Sequence, residues 1–182
     1  MESIKIMGND RDWSKIRGFN YHPSYAVNLI DIWDRFDADL IAAELARGKR
    51  YFPGINTLRW WHSWDAFSRD PKAYVGKFEK VLQLSDAVGC LVTPVLFNRT
   101  HLPPLDFGSL YIDHFLPGSF LNEPGMFDEY LERLVGGFAE DRRILAWDLC
   151  GEPYWYNSEP PPPGLEGVFP SEVVPPAIVD AE

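Results

Sequence analysis

The stretch "DPKAYVGKFEKVLQLSDAVGCLVTPVLF", Asp70 to Phe97, decides the fold. In its first part Tyr74, Val75, Phe78, Val81, Leu82 and Ser85 recur at helical spacing and share one face. Asp70 stands at the N-cap, Pro71 at the first helical position, where a missing N–H costs nothing, and Gly89 just past the end. Cys90 to Phe97 is then apolar almost without a break, the pattern of a parallel strand covered on both faces. Pro94 fits within it only at a bulge or where its missing donor faces no partner. A helix leading directly into a buried strand is part of a βαβ unit.

The pattern repeats on either side. "IRGFNY", Ile16 to Tyr21, is short and β-prone and predicts the first strand. "HPSYAVNLIDIWDRF" after it reads as a loop. "DADLIAAELARGKRYF" carries Leu40, Ile41, Leu45 and Phe52 at near-helical spacing behind a capping Asp37, and predicts the first helix. "GINTLRWW", Gly54 to Trp61, predicts the second strand, and "HSWDAFSR" reads as a loop. Asn98 to Gly125 is rich in proline, glycine and aromatics without periodicity, a long loop of the kind that usually serves function. "MFDEYLERLVGGFAED" predicts a third helix with Phe127, Tyr130, Leu131, Leu134, Val135 and Phe138 on one side. "RILAWDLC", Arg143 to Cys150, predicts the fourth strand. Beyond Tyr156 the prolines of "NSEPPPPGLEGVFPSEVVPPAIVDAE" forbid a regular helix and predict an extended tail.

Strands alternating with helices imply a parallel α/β fold with right-handed crossovers. The strand starts give roughly 40 residues per unit, in keeping with a βαβ repeat. Four units are half of an eight-stranded barrel. The expected organisation is a partial TIM (β/α)8 barrel, first four strands, over residues 1–156, with a Pro-rich tail over 157–182, and a truncated product.

Composition narrows the partners. The 182 residues are 46% hydrophobic and 15% aromatic, enough for one core. A net charge of -10 repels phosphate backbones and anionic lipid, so neither nucleic acid nor membrane is an expected partner. No stretch approaches ~18 consecutive apolar residues, and "MESIKIMGNDRDWSK" lacks the apolar centre of a signal peptide, so a cytoplasmic location is expected. Cys90 opens one predicted strand and Cys150 closes another. In parallel strands that places them roughly 20 Å apart at ~3.3 Å per residue, beyond the ~7 Å a disulfide spans, so both are expected to be reduced.

Ligands of parallel α/β folds bind at the carboxyl ends of the strands. The residues there are Tyr21 and His22, then Arg59, Trp61 and His62, then Asn98, and finally Glu152. Alternation along the fourth strand puts Ala146, Asp148, Cys150 and Glu152 on one face and Trp147, Leu149 and Gly151 on the other. It groups Thr57, Arg59 and Trp61 on the second strand. Arg59 and Glu152 are therefore expected to face inward together. A carboxyl group at a strand tip, half shielded by Trp155 and Tyr156, should hold its proton more tightly than usual and could donate it to a leaving oxygen. Pro153 would stiffen the turn that presents it.

"RGFNYHPS", "GINTLRWWHSWDAF", "VTPVLFN" and "DRRILAWDLCGEP" together resemble the first four strands of cellulase-like retaining glycoside hydrolases of the family 5 type. The resemblance runs from about Ile16 to Pro153. It implies a carbohydrate substrate with β-linkages, Glu152 as general acid/base and Arg59 as the arginine that orients the nucleophilic carboxylate. Tyr21, His22, Trp61, His62, Asn98 and Trp155 are expected to line the sugar site. The chain departs from the family at two points. Gly151 stands where the family has an asparagine that bonds the sugar 2-hydroxyl. The family's nucleophile lies at the end of a seventh strand, while the sequence stops after the fourth, so the chain alone is expected not to turn over.

Several residues carry two readings. Arg59 is either an interior partner of Asp148, a positioning group, or both. His22 and His62 suit loop or packing roles as well as a sugar site. Trp60, Trp61 and Trp64 are either core aromatics or a sugar platform. Asp31, Asp34, Asp37 and Asp39 read as a solvated acidic stretch, because no His or Cys joins them at ligand spacing. A nucleotide-binding doubly wound domain would need a glycine-rich turn where "YHPSYAVN" stands. A metal-dependent barrel hydrolase would need paired histidines on the first strand, where only His22 is available. No metal or organic cofactor is expected. A noncatalytic carbohydrate-binding or interaction remnant is the rival function, and exposed strand edges predict self-association.

Overall fold

The computed structural model describes residues 12–98 and 123–151. The strands are β1 (Gly18–Asn20), β2 (Thr57–Trp61), β3 (Leu91–Asn98) and β4 (Asp148–Gly151). They form one all-parallel sheet in the order β1-β2-β3-β4. Between them run α1 (Leu29–Asp34), α2 (Ala38–Tyr51), α3 (Trp64–Arg69), α4 (Pro71–Ala87) and α5 (Asp128–Leu131). The last continues into a π-helical turn, Glu132–Gly136. The α/β class expected from the sequence is what the described residues form. Most of the loop expected over Asn98 to Gly125, residues 99–122, and the tail expected over 157–182 lie outside them.

The strongest sequence signals act as capping chemistry demands. Asp70 accepts a hydrogen bond from the Ala73 amide at 2.9 Å, Pro71 opens α4, and Gly89 closes it at φ 68°, a left-handed conformation that glycine adopts at no steric cost. Asp37 caps α2 through the Leu40 amide at 2.9 Å.

Two segments expected to be loops are short helices. α1 lies within "HPSYAVNLIDIWDRF", capped by Asn28, whose side chain accepts from the Asp31 amide at 2.9 Å. α3 lies within "HSWDAFSR", capped by Ser63, which accepts from the Ala66 amide at 3.2 Å. Each has six residues, too few for a helical period to show, but each carries a capping residue at its start. Their burial stabilises them: Trp33 of α1 is fully buried and Phe67 of α3 nearly so.

The predicted fourth strand is interrupted. Ile144 bridges Val92, then pairing stops until Asp148 faces Val95. The cause is Pro94. Along β3 the Leu91 amide donates toward β2 and the Val92 amide toward Arg143, so alternation turns position 94 toward the fourth strand. Proline has no donor there, and the ladder opens opposite it.

The helices cover the sheet face that carries Leu58, Trp60, Val92 and Leu96, all buried. Ile32, Trp33, Ile41, Phe78, Leu82, Tyr130 and Leu134 meet them from the helical side. Each large apolar side chain so buried is worth about 1.5–3 kcal/mol relative to exposure. Tyr130 keeps its hydroxyl satisfied by donating to the Leu96 carbonyl at 2.8 Å. Among the described residues, no helix is long and apolar enough to cross a membrane.

Candidate functional site

The second face of the sheet is polar at the carboxyl ends of its strands. β2 alternates Leu58 and Trp60 into the helical layer with Thr57, Arg59 and Trp61 on the opposite side. Arg59 reaches across to β4, where its Nε and Nη2 both donate to Asp148 Oδ2, at 2.9 and 2.6 Å. Its guanidinium also stands 5.1 Å from the centre of the Trp61 ring, within cation–π range. Trp61 Nε1 donates to Asn98 Oδ1 at 3.1 Å. Arg59, Trp61, Asn98 and Asp148 thus form one connected cluster spanning three strands.

Gly151 completes it by having no side chain. A Cβ at that position would lie 2.6 Å from Asn98 Oδ1 and 3.1 Å from Arg59 Nη2. The space in front of position 151, where the resemblance implies an asparagine, is filled by the amide of Asn98 from the neighbouring strand.

The alternation expected along the fourth strand needs correction. Asp148 and Gly151, three residues apart, both face Arg59, whereas Trp147 lies 6.1 Å from Phe78 and Cys150 packs against the core. Cys150 therefore does not share a face with Asp148, and Gly151 does. β3 makes the same departure at the same level. Val95 and Asn98 face the cluster, while the Phe97 ring meets Phe127 and Tyr130 at 5.0 and 5.6 Å. Because Val95 pairs with Asp148 and Asn98 with Gly151, the two strands turn together without losing register.

The remaining expected site residues separate from this cluster. Tyr21 is buried on the helical side, edge-on to Trp60 at 4.9 Å, with its hydroxyl donating to Glu44 Oε2 at 2.5 Å. Burial, and then Glu44, push its phenol well above the usual range. His22 is exposed, with Nε2 2.8 Å from the Ala26 carbonyl oxygen. His62 is 1% exposed and stacks on Trp33 at 4.9 Å, with Nδ1 2.9 Å from the Tyr74 hydroxyl. Burial in this aromatic nest pulls its pKa down to about 3, so the imidazole is neutral. Glu152 and Trp155 lie outside the described residues.

Asp148, which the sequence offers as an interior partner for Arg59, is the carboxylate the guanidinium holds. Nothing in the local sequence marks it, since the pairing joins strands 89 positions apart. Of the acidic stretch, Asp37 caps α2, Asp34 pairs with Arg69, and Asp31 with Arg35. Cys90 and Cys150 are both free thiols. Burial, and then Asp148, raise the Cys150 thiol to about 11, so it is not a nucleophile at neutral pH.

No family model, curated protein or solved structure matches the chain.

Proposed function

We propose that this chain carries the first four β/α units of a barrel-type glycoside hydrolase acting on β-linked oligo- or polysaccharide. One observation carries the reading: the Arg59–Trp61–Asn98–Gly151 cluster at the carboxyl ends of three adjacent parallel strands. Sugar sites need this combination. An aromatic face takes the apolar side of a pyranose ring, and fixed polar groups read its hydroxyls. Arg59, pinned by Asp148, is the positioning group. Glu152 is the proton donor that the resemblance implies. Retaining hydrolysis needs a second carboxyl group ~5–5.5 Å from the first, and the resemblance places it on a seventh strand.

Gly151 favours a second reading, a noncatalytic carbohydrate-binding remnant. The asparagine that would contact the substrate beside the acid is missing, and Asn98 occupies its space.

Titration with cello- and manno-oligosaccharides, followed by tryptophan fluorescence and by release of reducing sugar, tests both. Binding that perturbs Trp61 and is lost in Trp61→Ala supports the sugar site. Hydrolysis abolished in Glu152→Gln supports the enzyme, and binding without hydrolysis supports the remnant. No binding of either sugar at millimolar concentration overturns both.

A further inference from the structure

Asn98 is unusual among the buried polar groups. The residue is 6% exposed, its Oδ1 accepts from Trp61 Nε1, and its Nδ2 has no hydrogen-bond partner among the described residues. Three other buried polar atoms share that condition: Trp60 Nε1, His62 Nε2 and Ser85 Oγ. Those belong to side chains packed in the helical layer. Of the four, only Asn98 belongs to the cluster with Arg59 on the opposite face of the sheet.

The amide cannot relieve the deficit by flipping. Turning it over would set its Nδ2 donor against the indole donor of Trp61, two N–H groups 3.1 Å apart. Trp61 therefore fixes the orientation, and Nδ2 stays a donor that lacks an acceptor. An unmet buried donor is costly and is normally retained only where something else supplies the acceptor. Gly151 makes the arrangement possible, because any Cβ there would collide with Oδ1.

We infer that Asn98 is the ligand-reading residue of this site, its Nδ2 donating to a hydroxyl oxygen of a neutral sugar seated against Trp61. The inference rests on the sugar-site reading above and adds to it the group that confers selectivity. The ligand is neutral because Arg59 is already neutralised by Asp148 and the chain as a whole carries a charge of -10. A free anion would meet no unpaired cation in the cluster. In the ligand-free chain Nδ2 is shut off from water, so the sugar must displace whatever covers it, and binding is accompanied by a local rearrangement around Asn98.

The test is an NMR titration of the 15N-labelled chain with cellotetraose and mannotetraose, following the Asn98 side-chain amide and the Trp61 indole signals. Binding should shift both Asn98 Nδ2 proton resonances at saturation. Asn98→Asp, which keeps the acceptor for Trp61 and removes the donor, should weaken binding about tenfold, the scale of one lost hydrogen bond in a desolvated site. Unchanged backbone amide resonances of α2 and α4 in that variant would show that its fold is intact. If the wild-type chain binds but the Asn98 amide does not shift and Asn98→Asp binds equally well, this inference fails while the sugar site stands. If the wild-type chain binds neither oligosaccharide, both fall.

Discussion

Arg59 and Asp148, 89 positions apart in sequence, are joined by two hydrogen bonds that converge on one carboxylate oxygen. The pair ties β2 to β4 across the width of β3. It also fixes the guanidinium over Trp61, so the same contact that closes the sheet arranges the site.

Each partner is about a third exposed, at 32% and 27%, which places the pair between a solvated and a buried ion pair. A double-mutant cycle with Arg59→Ala and Asp148→Ala should give a coupling of about 1–2 kcal/mol in urea unfolding, above the usual surface value. A coupling near zero would mean that the pair holds nothing together.

Gly151→Ala should disturb the site more than the fold. Its Cβ would press on Asn98 Oδ1 and Arg59 Nη2, both side-chain ends that can move, so the stability loss should be about 1 kcal/mol, the low end for overpacking. The Trp61–Asn98 bond should break in the process. A changed Trp61 emission spectrum with a nearly unchanged melting temperature is the expected result, and an unperturbed Trp61 would contradict it.

His62 makes stability depend on pH in a defined window. Its folded pKa of about 3 lies below its unfolded value of 6.5, so the unfolded chain binds the extra proton first as pH falls. The stability it contributes is full above pH 6.5 and declines below it by up to about 1.4 kcal/mol per pH unit until its folded pKa is reached. Glu79 and Asp141, whose pKa values are held low chiefly by their hydrogen bonds to Arg143, add to the loss only below about pH 4.5, where carboxylates begin to protonate. Urea melts of the wild-type chain between pH 7 and 5 should therefore show a falling midpoint. His62→Phe should flatten that slope, and a slope that survives the substitution would assign it elsewhere.

Both outer strands expose a large apolar side chain, Phe19 on β1 and Leu149 on β4, the latter at 67%. Among the described residues no strand pairs with the outer side of β1 or β4, and edges bearing such residues favour pairing with another chain. Sedimentation should show mass increasing with concentration, and Phe19→Lys with Leu149→Lys should shift the population toward monomer. A wild-type chain that stays monomeric at high concentration would contradict this expectation.

The sequence made some of this legible for physical reasons. α4 was readable because Asp70, Pro71 and Gly89 bracket an apolar face seventeen residues long, from cap chemistry that is local. The grouping of Thr57, Arg59 and Trp61 follows from the two-residue period of a regular strand. α1 and α3 read as loops because six residues cannot display a helical period, and the Asn28 and Ser63 caps gain meaning only once the helices behind them are seen. The turn of β4 that puts Gly151 beside Arg59 was not readable, because it is coordinated with β3 across the sheet and breaks strict alternation in both strands. Pro94 is a visible conflict within its own strand. Its effect on the neighbouring one depends on which side its missing donor faces.

The central claim is that the acid at position 152 and the guanidinium of Arg59 serve one sugar-binding hollow. A crystal structure of the chain soaked with an oligosaccharide it binds tests this most directly. The account predicts a pyranose ring against Trp61, a hydroxyl within hydrogen-bond distance of Asn98 Nδ2, and the Glu152 carboxyl group on the Arg59 side of the sheet. A Glu152 carboxyl group directed into bulk water on the helical side, with the sugar bound elsewhere, would contradict it.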